Sequence, residues 1–374
     1  MTETKKIGPI ALYFQRLDRQ GGGAERMLCQ LANALVQRGF VVHVVSWDGP
    51  EARTFYPLNS AVRWHRLGFS SGVLDKLRRT RALAQLLRRH RIVTLIGFVM
   101  SGDMTVFASA KLAGCRIFAA ERNGPSMYWR LYSPRRRRIN FSLLRLADHI
   151  LVQSPEFRDG YPEGLRKRIE VIPNPVRPVS VYATPSEINA EGRRVLLAVG
   201  RLDPVQKRPH LLIEAFARNA DRHSDWDLVL VGDGPARSTL EKFIISRGLA
   251  DRIRIMPTTR EIEKLYLSAH LYAMPSAWEG FPNALAEAMS HGLPAVGFAE
   301  SEGVAELVRQ AGGWIAEERG EPVTSLANCL DLALSNPTEL TKRGQAARQA
   351  MAVFEPEAIY DRWVQVLGAD GSTI

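Results

Sequence analysis

Cysteine is scarce in this 374-residue chain: Cys29, Cys115 and Cys329 stand far apart and are odd in number. They lack metal-ligand spacing and cannot form a disulfide framework, so they read as core thiols of a reducing compartment. Long apolar runs are missing too. The longest, Ile92–Met100, falls far short of the ~20 residues of a membrane-spanning helix. The opening MTETKKIGPIALYF has neither the apolar stretch nor the cleavage site of a signal peptide. A cytoplasmic protein is therefore expected. No repeat with a period of 20 to 50 residues is present, no low-complexity segment, and no helix-turn-helix, zinc or stacking-aromatic motif.

What is present is a globular composition, 45% hydrophobic and 24% charged, long enough for two domains with their own cores. The net charge of +11 is unevenly spread: residues 1–200 hold 32 Lys plus Arg against 15 Asp plus Glu, and residues 201–374 hold 18 against 24. A basic half implies an anionic partner, either an acidic membrane or nucleic acid.

Apolar runs alternate with helical stretches twice over. Expected strands are Pro9–Leu17, Phe40–Trp47, Ala61–Leu67, Ile92–Phe98, Arg116–Ala120, His149–Gln153 and Glu170–Ile172, then Val195–Val199, Leu228–Val231, Arg254–Met256, Leu271–Met274 and Ala295–Phe298. Such alternation predicts parallel sheets covered on both faces. The expected organisation is an N-terminal domain over 1–175, a Pro-rich linker over 176–193 and a C-terminal domain over 194–352. A terminal segment, 353–374, carries a helix able to cross back to the first domain. Two doubly wound domains facing one another would leave a cleft, with ligands at the carboxyl ends of the strands.

Residues 275–294 carry the strongest chemical signal. Glu279 and Glu287 stand eight apart, one before an expected helix, 282–291, and one inside it. Pro282 suits the first helical position, where a missing N–H costs nothing. The helix start, residues 281–283, would attract an anion, phosphate above all. Carboxylates beside a phosphate suit sugar hydroxyls, so the ligand expected is a nucleotide sugar. Gly200, Arg201 and Lys207 follow the strand Val195–Val199, where an Arg fork and a mobile Lys can neutralise a diphosphate. Gly21-Gly22-Gly23, between the first strand and helix, permits close backbone approach. Glu121-Arg122-Asn123 ends the strand Arg116–Ala120. Asp225-Trp226-Asp227 runs into a strand at the end away from the ligand and reads as structural.

Taken together, Val199-Gly200-Arg201-Leu202, Lys207, Leu211-Leu212-Ile213-Glu214-Ala215-Phe216, Val231-Gly232-Asp233-Gly234-Pro235 and the Glu279/Glu287 block resemble the retaining glycosyltransferases of family four. The resemblance covers nearly the whole chain. It implies the GT-B fold, two Rossmann-like α/β domains, the first on the acceptor side and the second binding the nucleotide sugar. It further implies that Arg201 and Lys207 bind the donor diphosphate and that Glu279 accepts from the transferred sugar. Glu287 would hold the ribose, the backbone at Phe281, Pro282 and Asn283 would line phosphate and sugar, and Met256 and Pro257 would meet the base. Pro282 has no N–H to give. Gly22 and Gly23 would approach the phosphates. No metal or other cofactor is implied. Many members carry a histidine near residue 121; this chain does not, which argues against histidine assistance. Glu121, Arg122 or Asn123 contacts the acceptor or the reacting sugar, or else forms a structural turn. The triplet resembles members that extend lipid-linked saccharides. A UDP-sugar donor of hexose or N-acetylhexosamine type is the expectation, with a polyprenyl-diphosphate-linked saccharide as acceptor.

Two basic stretches fit that acceptor: Arg135-Arg136-Arg137-Arg138, and Lys76-Leu77-Arg78-Arg79-Thr80-Arg81 continuing to Arg88-Arg89-His90-Arg91. Either is a solvated helix face or docks on anionic lipid, with Trp129, Tyr132, Phe141, Leu143 and Leu144 dipping into the interface. A peripheral place on the cytoplasmic membrane follows from the second alternative. Two rivals stand beside the enzyme: a nucleic-acid-binding protein, favoured by charge alone, and an inactive sugar-binding relative, disfavoured by the intact Arg201, Lys207, Glu279 and Glu287.

Overall fold

A computed structural model describes residues 8–18, 22–69, 72 and 75–368. The chain forms two compact units, Met1–Asn174 with Glu357–Ile374, and Pro175–Pro356.

The first unit is built on strands β1 (Ile10–Tyr13), β2 (Val42–Ser46), β3 (Arg63–Arg66), β4 (Thr94–Phe98), β5 (Arg116–Ala120), β6 (His149–Val152) and β7 (Ile169–Val171). They make one parallel sheet in the order β3-β2-β1-β4-β5-β6-β7. Because helices cover both faces, the inner strands are apolar at consecutive positions: every residue of β1 is buried. The first helix, Gly23–Gln37, stops at Gly39, whose φ of +84° suits glycine. The last helix, Pro356–Gly368, belongs to this unit. Its Trp363 is fully buried, near-parallel to Phe98 with ring centroids 6.5 Å apart, and Arg116 Nη2 donates to Leu367 O at 2.8 Å. On its outer side Glu357 and Asp361 pair with Arg38.

The second unit repeats the plan with β8 (Arg194–Val199), β9 (Trp226–Val231), β10 (Ile253–Met256), β11 (Leu271–Met274), β12 (Ala295–Phe298) and β13 (Trp314–Ala316), ordered β10-β9-β8-β11-β12-β13 and all parallel. One face packs Leu196, Leu228 and Leu230 with Leu212, Phe216 and Leu330; the other packs Leu197, Val229 and Val231 with Leu285, Met289 and Met351. Both sheets reverse their strand order beside the first strand, between β1 and β4 and between β8 and β11. That is where open α/β sheets receive ligands.

The sequence pattern left 302–351 unassigned. Here lie the helices Glu302–Gln310, Pro322–Leu334 and Pro337–Met351, and β13, whose three residues are too few to show a period. Residues 176–193 carry no helix or strand, yet they pack on the second unit. Val176 is buried and donates its N–H to Phe354 O at 2.8 Å, and Ala183 N donates to His291 O at 2.8 Å. No helix among the described residues is long and apolar enough to cross a membrane.

Candidate active site

The site is assembled from the loops after β8 and β11, on either side of the order reversal in the second sheet. After β8 the chain turns at Gly200 and is organised by Asp203. Its carboxylate accepts from the N–H groups of Val205 and Gln206 at 2.8 Å, and its carbonyl accepts from those of Lys207 and Arg208. Asp203 thereby fixes where Lys207 projects. Gln206 ties this loop to the next: its carbonyl accepts from Ala277 N at 2.7 Å, and its amide donates to Trp278 O at 3.3 Å. Arg208 sits in the left-handed region at φ +50° and is buried over Phe298. It donates to Pro275 O at 2.9 Å and to Glu318 at 2.8 Å, so it holds the β11 loop in place.

The result is a 2.5 Å contact between Lys207 Nζ and Glu279 Oε1, across 72 positions of sequence. The Glu279 side chain is only 10% exposed and that of Lys207 23%. A partly buried carboxylate and ammonium in contact at a strand switch point can receive a ligand carrying both hydroxyls and negative charge. Arg201 stands at the mouth: its side chain is 59% exposed, 3.4 Å from Asp203, and donates to Gln206 at 3.2 Å. Its fork is not locked by a buried carboxylate.

The helix after this loop runs Asn283–Ser290, one residue shorter at each end than the sequence pattern suggested. Pro282 precedes it: the Pro282 carbonyl accepts the first helical bond, from Ala286 N at 3.0 Å, so this residue caps the helix and does not begin it. Its ring fixes φ near −79° there. The first-turn donors without an intrahelical acceptor are thus those of Asn283, Ala284 and Leu285. Phe281 is buried edge-on against Phe354. Glu287, one turn into the helix, accepts from the Tyr266 hydroxyl at 3.2 Å. Gly303 backs the loop: a Cβ there would lie 1.8 Å from Gly280 O, so only glycine lets the next helix approach this closely. Met256 ends β10, and its carbonyl accepts from Gly232 N at 2.9 Å. Pro257 follows, and Thr258 N donates to the Asp233 carboxylate at 2.9 Å, which holds Asp233 below the usual carboxylate range. The structure therefore gathers Gly200, Arg201, Lys207, Glu279, Phe281, Asn283 and Glu287 on the carboxyl side of one sheet, with Met256 and Pro257 at the end of β10.

In the first unit, Gly22 caps the helix Gly23–Gln37 and the Glu25 carboxylate lies against it; Gly21 lies outside the described residues. Glu121 is buried, bonded to the Tyr128 hydroxyl, and burial pushes its carboxyl above the usual range. Arg122 is held by Asn174 and lies over Phe98, 5.3 Å from the ring centre, and burial lowers it to about 9. Its Nη1 finds no hydrogen-bond partner among the described residues. Asn123 is half-buried beside them.

Residues 21–180 match the model for Glycosyltransferase Family 4, and residues 184–350 match that for Glycosyl transferases group 1. The chain is a family-four-type glycosyltransferase with the GT-B fold. An uncharacterized glycosyltransferase of Haemophilus influenzae is 25% identical over 97% of this chain and 100% of its own length. A Campylobacter jejuni N-acetylgalactosaminyltransferase, named for an undecaprenyl-diphosphate-linked substrate, is 22% identical over 92% of this chain and 95% of its own. Anabaena HepE, solved in complex with UDP and glucose, superposes with a TM-score of 0.75 at 18% identity, over 97% of this chain and 100% of that one.

Other parts of the glycosyltransferase correct the sequence-based picture. The helix Pro134–Leu144 leaves Arg135, Arg136 and Arg138 exposed, while Arg137 is half-buried, 3.7 Å from the Trp129 ring centre. Phe141, Leu143 and Leu144 are buried, Phe141 against Tyr128 and Tyr161, so they cannot dip into a lipid surface; Trp129, Leu131 and Ile139 are the exposed apolar residues instead. In the other basic stretch Arg79 points inward, over Trp47 and 3.7 Å from Asp103. Asp225 and Asp227 are engaged by Arg194, Arg193 and Arg252 at the start of β9. Sequence reasoning assigned no role to Asp203, Gln206, Arg208 or Gly303, because their partners lie in other loops.

Proposed function

We propose that this glycosyltransferase moves a hexose or N-acetylhexosamine from a UDP-sugar to a saccharide on a polyprenyl diphosphate, with retention at the anomeric carbon and without a metal. The observation that carries the reading is the Lys207–Glu279 contact at the β8/β11 switch point, beside the start of the helix Asn283–Ser290. Lys207 and Arg201 take the donor diphosphate, and the helix start adds its partial positive charge. Glu279, released from Lys207, accepts from hydroxyls of the transferred sugar, and Glu287 from the ribose. The sugar–phosphate bond breaks toward UDP, whose growing charge Lys207 and Arg201 stabilise. The acceptor hydroxyl attacks on the same face and gives its proton to the departing diphosphate. These cations then stabilise charge that develops only in the transition state, which is where rate is gained. The nucleotide choice is supported by the UDP named in the HepE structure, and the lipid-linked acceptor by the Campylobacter relative's name. The exposed Arg135, Arg136 and Arg138 suit an anionic membrane face.

The test is a panel of UDP-, GDP- and ADP-sugars with EDTA present, read by melting temperature and by nucleotide release. One UDP-sugar should raise the melting temperature, since a ligand that binds only the folded state stabilises it. Its slow hydrolysis should fall roughly 10²–10³-fold in Lys207→Ala, as when one transition-state charge donor is removed. No shift with any sugar nucleotide, or wild-type turnover in Lys207→Ala, overturns the assignment.

A further inference from the structure

Three imidazoles converge at the β3 edge of the first sheet, on β2 and β3 to one side of the order reversal. His43 is the second residue of β2 and His65 the third of β3. Register pairs Val45 with His65 and His43 with Arg63, so both histidines project from the same face. His90 immediately follows the helix Asp75–Arg89 and brings its ring against both of them. Arg91, at φ +50°, turns the chain immediately after it. His43 Nδ1 and His65 Nε2 lie 2.8 Å apart, and the His90 ring centre is 4.8 Å from each of the other two. One ring nitrogen from each residue falls within a sphere where all are 4.8 Å or less from one another.

We propose that His43, His65 and His90 form a binding site for one borderline divalent transition metal, Zn²⁺ being the natural occupant. Three imidazoles around a tetrahedral ion at about 2.0–2.1 Å place their nitrogens roughly 3.3 Å apart. The His43–His65 pair has to open slightly and His90 to close. Both moves are small, and His65 and His90, being partly exposed, have room for them. The donor set is nitrogen alone, which suits Zn²⁺, Cu²⁺ or Ni²⁺ and excludes Mg²⁺ and Ca²⁺, which take oxygen. A water or small anion fills the fourth position, and the positive charge of nearby Arg63, which acts on both His43 and His65, favours the anionic form. The ion would clip the edge strand β3 and the end of a helix to β2. It has no part in the proposed transfer step, whose Arg201, Lys207, Glu279 and Glu287 lie in the other unit.

The test uses the untagged full chain and Zn²⁺ alone, with Mg²⁺ as the comparison, by calorimetric titration. One Zn²⁺ per chain should bind saturably, Mg²⁺ should not, and His65→Gln and His90→Gln should each weaken Zn²⁺ at least tenfold while His149→Gln leaves it unchanged. Ring-nitrogen NMR of the wild-type chain needs no variant: three of its eight histidines should shift together on addition of one equivalent. Absence of saturable Zn²⁺ binding overturns the site, as does binding that survives both substitutions or a shift confined to other histidines. Transfer in EDTA is unaffected by any of these results, so this site and the transfer assignment fail separately.

Discussion

At the residue scale the decisive contact is Lys207 with Glu279. Removing the lysine alone leaves a carboxylate largely shielded from water and without its 2.5 Å partner. Such an orphaned group costs about 1–3 kcal/mol, whereas removing both partners is far less damaging. Lys207→Ala should therefore melt lower than Lys207→Ala combined with Glu279→Gln, although both lose transfer. A double variant melting below the single would show that the pair is not coupled. The sequence singled out these side chains through the eight-residue spacing of Glu279 and Glu287 and the strand-end position of Lys207. It could not show that one glutamate rests on the lysine, since that depends on a fold bringing positions 72 apart together. Nor could it reveal Arg208 as a buried brace, because its partner Glu318 lies 110 residues away.

At the scale of elements, apolar strands bounded by turns were easy to read. Arg116–Ala120, Leu271–Met274 and Ala295–Phe298 fall on the residues expected, because a parallel strand buried on both faces must be continuously apolar. Segment 176–193 was harder. Its prolines and small polar residues suggest a loose connection, but His270 pins it: Nδ1 accepts from Val195 N at 2.9 Å, and Nε2 meets Glu187 O at 2.5 Å. That arrangement needs the neutral ring, and burial lowers the His270 pKa below its ordinary 6.5. The unfolded chain then takes up a proton below pH 6.5 that the folded chain refuses. Stability contributed by His270 is present above pH 6.5 and is lost as pH falls from there toward the folded value. Melting temperature should decline over that window, and His270→Gln should flatten part of the decline. An unchanged slope in the variant would remove His270 from the account.

For the molecule as a whole, the uneven charge finds a place in the exposed Arg135, Arg136 and Arg138, which stand beside the exposed Trp129. Each basic residue near an anionic surface contributes about 1 kcal/mol. Replacing the three with serine should weaken binding to vesicles containing anionic lipid roughly a hundredfold at low salt, and less at high salt. Equal binding would return the cluster to a solvated face. The first unit is also discontinuous in the chain: it needs Glu357–Ile374 as well as its first 174 residues, and Trp363 fills its core beside Phe98. On the ribosome this has a temporal meaning. The whole of Pro175–Pro356 must be translated before the first unit can receive its final helix, a delay on the order of 10–40 s at usual elongation rates. Through that interval the nascent chain carries an open apolar seat around Phe98, so the part of the protein made first is the last to mature, and it is the part that a holding chaperone would guard.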